Sequence, residues 1–256
     1  GRNPFQQQQA PPPERGELTP LFNAMGVSFP KDRVVWDGYN PHPEFEFPKE
    51  VVFVRPKDED VPVPEGDETF EGGGFNQKDP ITAGLQELAL IFPGEVEAVP
   101  TPDITATPLV RTGRTRSGWH RWDEMVQESF FGMQQLPPDS RAYSPADAPR
   151  TLALRLRGKL RALKDGEGVK QGDPGQEFDA IVVADMDLLS DSFYSLRRQG
   201  DKSLPELDNI TFVANCIDAL AGEEAYLALR KLRPKHRTLT YFEDLQRRLD
   251  KTQAAA

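Results

Sequence analysis

Apolar residues recur along this chain at two spacings, and the change from one to the other predicts a mixed α/β domain. Leu18, Leu21, Phe22 and Met25 fall on one helical face with Gly26 as a stop, so a short helix is expected over residues 17–25. Strands are expected at Val34–Trp36, at Val51–Val54 before the Arg55-Pro56 pair, at Leu88–Phe92 and at Ile104–Val110. Leu152, Leu154 and Leu156 alternate with Arg155, Arg157 and Lys159, the period-2 signature of a half-buried strand over residues 151–160. Ile210, Val213, Ala214, Ile217 and Leu220 are spaced by three and four, which predicts a helix over residues 207–220 ending near Gly222.

The pattern centres on residues 178–191, FDAIVVADMDLLSD. Ala180 to Ala184 is a short run rich in β-branched residues, read as a strand buried on both faces of a sheet. It ends in Asp185-Met186-Asp187, placing two carboxylates where a parallel α/β sheet opens its crevice. The expected architecture is therefore α/β.

Between these elements the chain turns polar. Residues 1–16, with Gln6–Gln9 and Pro11–Pro13, read as a low-complexity linker, and the acidic stretch 57–78 with Gly72–Gly74 reads as an exposed, flexible excursion. A phosphate-binding use of the glycine triplet lacks the lysine or serine that such loops carry; the neighbours are Glu71 and Phe75. Asp79-Pro80 is a helix-start signal. Residues 111–117, RTGRTRS, read as a solvated loop, with an anion clasp as the alternative. Trp119, Trp122, Phe130 and Phe131 concentrate aromatic surface in a stretch read as helical. Residues 240–253 read as a charged helix with Phe242, Leu245 and Leu249 on one side.

Composition narrows the function. The 256 residues include 24 prolines and 20 glycines, with 37% hydrophobic residues, so long loops dilute the core. Thirty-one basic and 41 acidic side chains give a formal charge of −10, which disfavours nucleic acid and anionic lipid as partners. Cys216, the single cysteine, excludes an internal disulfide, and His42, His120 and His236 are too far apart in sequence for a histidine-rich metal centre. No run reaches the length of a transmembrane helix.

No catalytic constellation emerges. Asp185, Asp187 and Asp191 would suit Mg²⁺ if substrate oxygens completed its shell, but no lysine or hydroxyl stands at a recognisable spacing. The structural reading has Asp187 capping a following helix and Asp185 bonding nearby backbone N–H groups. Cys216 lies in an apolar helical pattern that suits a buried, inert thiol, and His120 stands without a partner that would make it a general base. No catalytic residue, metal or cofactor is assigned.

The segments AIVVADMDLLSDSFY and LDNITFVANCIDALAGEEAYLALRKL resemble the membrane-anchored auxiliary components of ABC transporters, the group that includes the gliding-motility protein GldG. Asp185, Asp187, Asp191, Asp208, Asn209, Phe212, Asn215, Gly222 and Arg230 stand at the places of that group's Asp-x-Asp-Leu-Leu-Ser-Asp strand end and Asp-Asn-x-x-Phe-x-x-Asn helix. LFNAMGV, DPITAGLQELALIFPG, ATPLVRTGRTRSGW and TLALRLRGKL fit in order, with Lys78-Asp79 where the group usually has histidine or asparagine.

The resemblance implies a flavodoxin-like or glutamine-amidotransferase-like layered sheet, with helices on both faces and long loop insertions. It implies an extracytoplasmic domain at residues 17–237 whose earlier part precedes Gly1; the charged helix that follows suits, by its own polarity, a connector at 238–256. Membrane helices would flank that domain in a longer bacterial inner-membrane protein. Its partners would be an ABC permease and ATPase, and its role non-enzymatic. Asp185, Asp187, Asp191, Asp208, Asn209, Trp119 and Trp122 are the candidate contact residues. The alternatives are a Mg²⁺-dependent hydrolase built on the three strand-end aspartates, and a glycan- or peptide-binding module built on Trp119, Trp122 and Phe131.

Overall fold

A computed structural model of the chain describes residues 18–41, 46–57, 63, 65–114, 116–129, 132–160, 175–191 and 207–230. Helix α1 (Thr19–Ala24) opens them and stops at Gly26, whose φ of +71° suits glycine. A Cβ there would sit 2.7 Å from Thr101 Oγ1 and 2.9 Å from Val99 O. Strands β1 (Val27–Ser28), β2 (Arg33–Asp37) and β3 (Val51–Val54) follow. Next come β4 (Leu88–Ile91), β5 (Glu97–Ala98), β6 (Ile104–Arg111) and β7 (Ser117–Arg121). A one-turn helix, α2 (Trp122–Met125), leads to β8 (Val126–Ser129) and β9 (Gly132–Gln135). The long strands β10 (Thr151–Leu160) and β11 (Gln176–Val183) precede helices α3 (Asn209–Leu220) and α4 (Glu224–Arg230).

Every strand pairing among the described residues is antiparallel: β1 with β5, β2 with β7, β3 with β4, β8 with β9, and a three-stranded sheet in the order β11-β10-β6. The architecture is thus mixed α/β, with small antiparallel sheets and few helices. Single backbone bonds knit the sheets together. Val35 N–H donates to Pro93 O and Asp37 N–H to Lys49 O, while Gly94 donates to Ala184 O and Ala184 to Leu152 O.

The 180–184 run forms a strand, but not the interior parallel strand its composition implies. It is the end of β11, an edge of its sheet among the described residues, and its side chains are only half-buried. Both faces are apolar because the strand divides two cores. Ile181 and Val183 pack on the larger core, around Val54, Phe75, Leu90, Leu152 and Phe212. Phe178 and Val182 pack on a smaller one, around Val27, Val96, Leu154 and Leu156.

Four other expectations are corrected. The stretch after Trp119 is mostly strand rather than helix, because β7 pairs along the whole of β2 and β8 pairs with β9, with only the single turn of α2 between β7 and β8. Asp79-Pro80 makes turns instead of a helix: the Asp79 carboxylate accepts Ile81 N–H at 2.9 Å and its carbonyl accepts Ala83 N–H at 2.9 Å. The glycine triplet is buried, not exposed; a Cβ on Gly73 would lie 1.9 Å from Pro56 O, so the residue type serves close backbone approach. The 111–117 segment is anchored: Arg111 pairs with Asp67 and lies 4.0 Å over the Phe70 ring, and the Thr112 and Ser117 hydroxyls bond each other at 2.9 Å in the interior.

The polar face expected on β10 is also partly interior. Arg155 is 3% exposed and binds Asp179 of β11 through two bonds, Nε to Oδ1 at 3.0 Å and Nη2 to Oδ2 at 2.7 Å. The 1–16 linker and the 240–253 helix lie outside the described residues.

Candidate functional site

The acidic strand end and the start of α3 meet along the outer edge of β4. Strand β4 uses one edge to pair with β3, which leaves N–H groups of its other edge in need of acceptors. Side chains supply them in a row. Asp208 accepts Gln86 N–H at 2.7 Å, with Glu87 N–H at 3.4 Å. Asn209 Oδ1 accepts Ala89 N–H at 3.1 Å, and Asp185 Oδ2 accepts Ile91 N–H at 3.0 Å. Asn209 Nδ2 donates back to Ala89 O at 2.7 Å and to Leu188 O at 3.1 Å.

The helix is seated by the same logic. Asp208 N–H donates to Glu87 O, and Asn215 Nδ2, one and a half turns into α3, donates to Ile81 O at 2.9 Å. Phe212, Cys216 and Ala219 fill the larger core between these polar clasps, and Leu227 of α4 joins them. Asp208, Asn209 and Asn215 are all fully buried and hydrogen-bonded to backbone, so a helix otherwise held by apolar area gains a fixed register.

The other sequence candidates are placed differently. Asp185 is half-buried; burial, and secondarily the charge of Asp187, push its carboxyl up, while bonds from Asp187 and Ile91 N–H groups oppose that. Asp187 is exposed, and its carbonyl accepts Ser190 N–H in a turn; Asp191 is exposed too. Among the described residues no group of three His, Cys, Asp or Glu side chains could hold a metal ion. Trp119 packs against the larger core beneath the Arg33 guanidinium, 4.5 Å from the ring, whereas Trp122 is 45% exposed. Phe131 lies outside the described residues.

One polar cluster was not foreseen. Glu50, just before β3, is wholly buried; it pairs with Arg141 Nη1 at 2.8 Å, lies 3.0 Å from His120 Nε2, and accepts Tyr143 O–H at 3.2 Å. His120 Nδ1 is 3.1 Å from Ala142 O, and the ring stacks edge-on with Tyr143 at 4.8 Å and near Trp36 at 6.0 Å. Lys49 Nζ covers Tyr143 at 4.1 Å. Residues from four separate stretches converge here, so no local spacing announces the cluster; the sequence signal was a lone histidine beside aromatics.

Its electrostatics are those of a lock. Burial alone would raise the Glu50 carboxyl, but bonds from His120 and Arg141 hold it down at about 2. Burial and the Glu50 charge push the Tyr143 hydroxyl up to about 12. Burial likewise lifts the Cys216 thiol to about 12, far from the thiolate a nucleophile needs. A general acid or base works best near the operating pH, and these groups are tuned away from it.

A family model for ABC-type uncharacterized transport systems matches residues 2–216, most of the chain and every residue of the β4 clasp. The chain belongs to this auxiliary family of ABC-type transport systems. No curated protein and no solved structure gives a significant match. The family match ends within α3, so Gly222, Arg230 and α4 lie beyond it. No helix among the described residues of this ABC-transport auxiliary domain is long and apolar enough to cross a membrane.

Proposed function

We propose that this domain is a non-enzymatic, extracytoplasmic auxiliary subunit of an ABC transporter, GldG-like in type, which works by contact with the permease and ATPase of its system. Membership of the auxiliary family supports the setting. The observation that carries the non-enzymatic part is the β4 clasp: Asp185, Asp208 and Asn209 bond to the chain's own backbone, which suits scaffold rather than substrate binding. The reading includes a layered amidotransferase-like or flavodoxin-like arrangement; α3 packed on the sheet core is in keeping with layers, while the strand pairings among the described residues are antiparallel. It also includes a parent protein anchored in the bacterial inner membrane.

The test is reconstitution. The cognate permease and ATPase in proteoliposomes should bind the domain and change their ATP hydrolysis when it is present. Unchanged turnover together with no binding would overturn the reading, as would phosphoester hydrolysis by the purified domain that disappears in Asp185→Asn or Asp187→Asn.

A further inference from the structure

Helix α3 is apolar on two faces, one buried and the other covered only in part, where Val213 packs on the larger core. Phe212, Asn215, Cys216 and Ala219 point into the larger core. At 100° per residue, Ile210, Val213, Ile217 and Leu220 form a second stripe beside that face. It opens toward its C-terminal end: Ile217 is 61% and Leu220 45% exposed. On the adjoining α4, Tyr226 and Leu229 are also exposed, at 56% and 61%. Four large apolar side chains bared on neighbouring turns of one hairpin are more than single scattered exposures.

The described chain ends at Arg230, at the end of α4 and so beside this patch. Beyond it, Phe242, Leu245 and Leu249 repeat at intervals of three and four, the spacing of Val213, Ile217 and Leu220. Residues 231–253 carry seven basic and three acidic side chains, net +4, so with the total at −10 residues 1–230 carry −14. Asp218 and Glu223 lie on the hairpin itself. The ten links from Arg230 to residue 240 reach up to roughly 33 Å, against about 18 Å for the twelve residues of α3, so the chain can turn back along it.

We propose that the outward stripe of α3, with Tyr226 and Leu229, is the seat of the chain's own residues 240–253, docked through Phe242, Leu245 and Leu249. The two apolar stripes cover each other; residues 240–253 carry three basic and three acidic side chains, so the charge match to the acidic body comes from the four basic residues of 231–239 that lead to them. The helix-in-groove mode reads anchors at such spacings. The inference does not depend on the transporter reading, since it concerns one chain alone.

Disulfide trapping in the full chain tests it, in a Cys216→Ala background. Ile217→Cys paired with Leu245→Cys should close rapidly within one chain at a rate independent of protein concentration. Ile217→Cys paired with Arg247→Cys, on the opposite side of the segment, should close at least tenfold more slowly. Equal rates for the two pairs, no closure, or closure only between two chains would overturn the proposal, the last assigning the stripe to a second copy. As a check free of cysteines, Leu245→Asp should raise the binding of an apolar fluorescent dye without lowering the melting temperature by more than a few degrees; unchanged dye binding would also count against it.

Discussion

The Asn209 side chain makes both hydrogen bonds that a neighbouring strand would make to Ala89, accepting from its N–H at 3.1 Å and donating to its carbonyl at 2.7 Å. One amide thus ends the β3–β4 sheet and starts α3. Only Asn or Gln carries a donor and an acceptor in that arrangement, and Gln is a methylene too long for the same position. Replacing Asn209 by Leu leaves Ala89 and Leu188 polar groups without partners in a dry site. The expected loss is about 2–4 kcal/mol, read as a lower urea midpoint. Asn209→Asp keeps the acceptor and loses the donor, and should fall between wild type and Asn209→Leu.

Glu50 governs the acid limb of stability. Its folded-state pKa is about 2, below the ordinary value of 4.5, so between those values the unfolded chain binds more protons. Its contribution is therefore fully present above about pH 5 and is lost as pH falls toward 2. The shift corresponds to at most roughly 3 kcal/mol. Glu50→Gln should be less stable at pH 7 and show a flatter decline over that window, measured by denaturant unfolding at stepped pH.

The glycine triplet and the lone Gly66 separate close approach from backbone strain. Gly73→Ala would place its Cβ 1.9 Å from Pro56 O, and Gly74→Ala 2.4 Å from Val54 Cγ1, so both should fail to fold or lose more than ~3 kcal/mol. Gly66 has φ of +85° and nothing within 4 Å, so Gly66→Ala should cost only about 1 kcal/mol. Thermal melts of the three variants decide this.

Arg155 and Asp179 hold β10 to β11 from inside. Burial alone would raise the Asp179 carboxyl, but bonds from Arg155 and Arg157 hold it below the ordinary range. Asp179→Ala leaves the guanidinium of Arg155 at 3% exposure without that carboxylate, and the cost should be about 2–3 kcal/mol, moderated because Asp179 is 30% exposed on its side chain. Arg157→Ala, on the exposed side of the same carboxylate, should cost under about 1 kcal/mol.

Strand β3 was legible to the residue, because Val51–Val54 stands between a charged residue and the Arg55-Pro56 stop. Helix α3 was legible from its three-and-four spacing and Gly222, whose φ is +79°. The direction of β11 was not: a run such as AIVV reports apolar surroundings on both faces, and two cores flanking an edge strand provide them as fully as the middle of a parallel sheet does. Asp185, Asp208 and Asn209 were visible as a motif, yet their common target, the edge of β4, lies about 95 to 120 residues away in sequence. The Glu50 cluster was hidden for the same reason, with Arg141 about 90 residues from its carboxylate.

The β4 clasp as scaffold is tested most directly by hydrogen exchange at the Gln86, Ala89 and Ile91 amides, with and without millimolar Mg²⁺. If the three side chains belong to the framework, these amides exchange slowly, Asn209→Leu speeds Ala89 selectively, and Mg²⁺ changes nothing. Fast exchange at all three in the wild type, or exchange that responds to Mg²⁺ through Asp185, would contradict it.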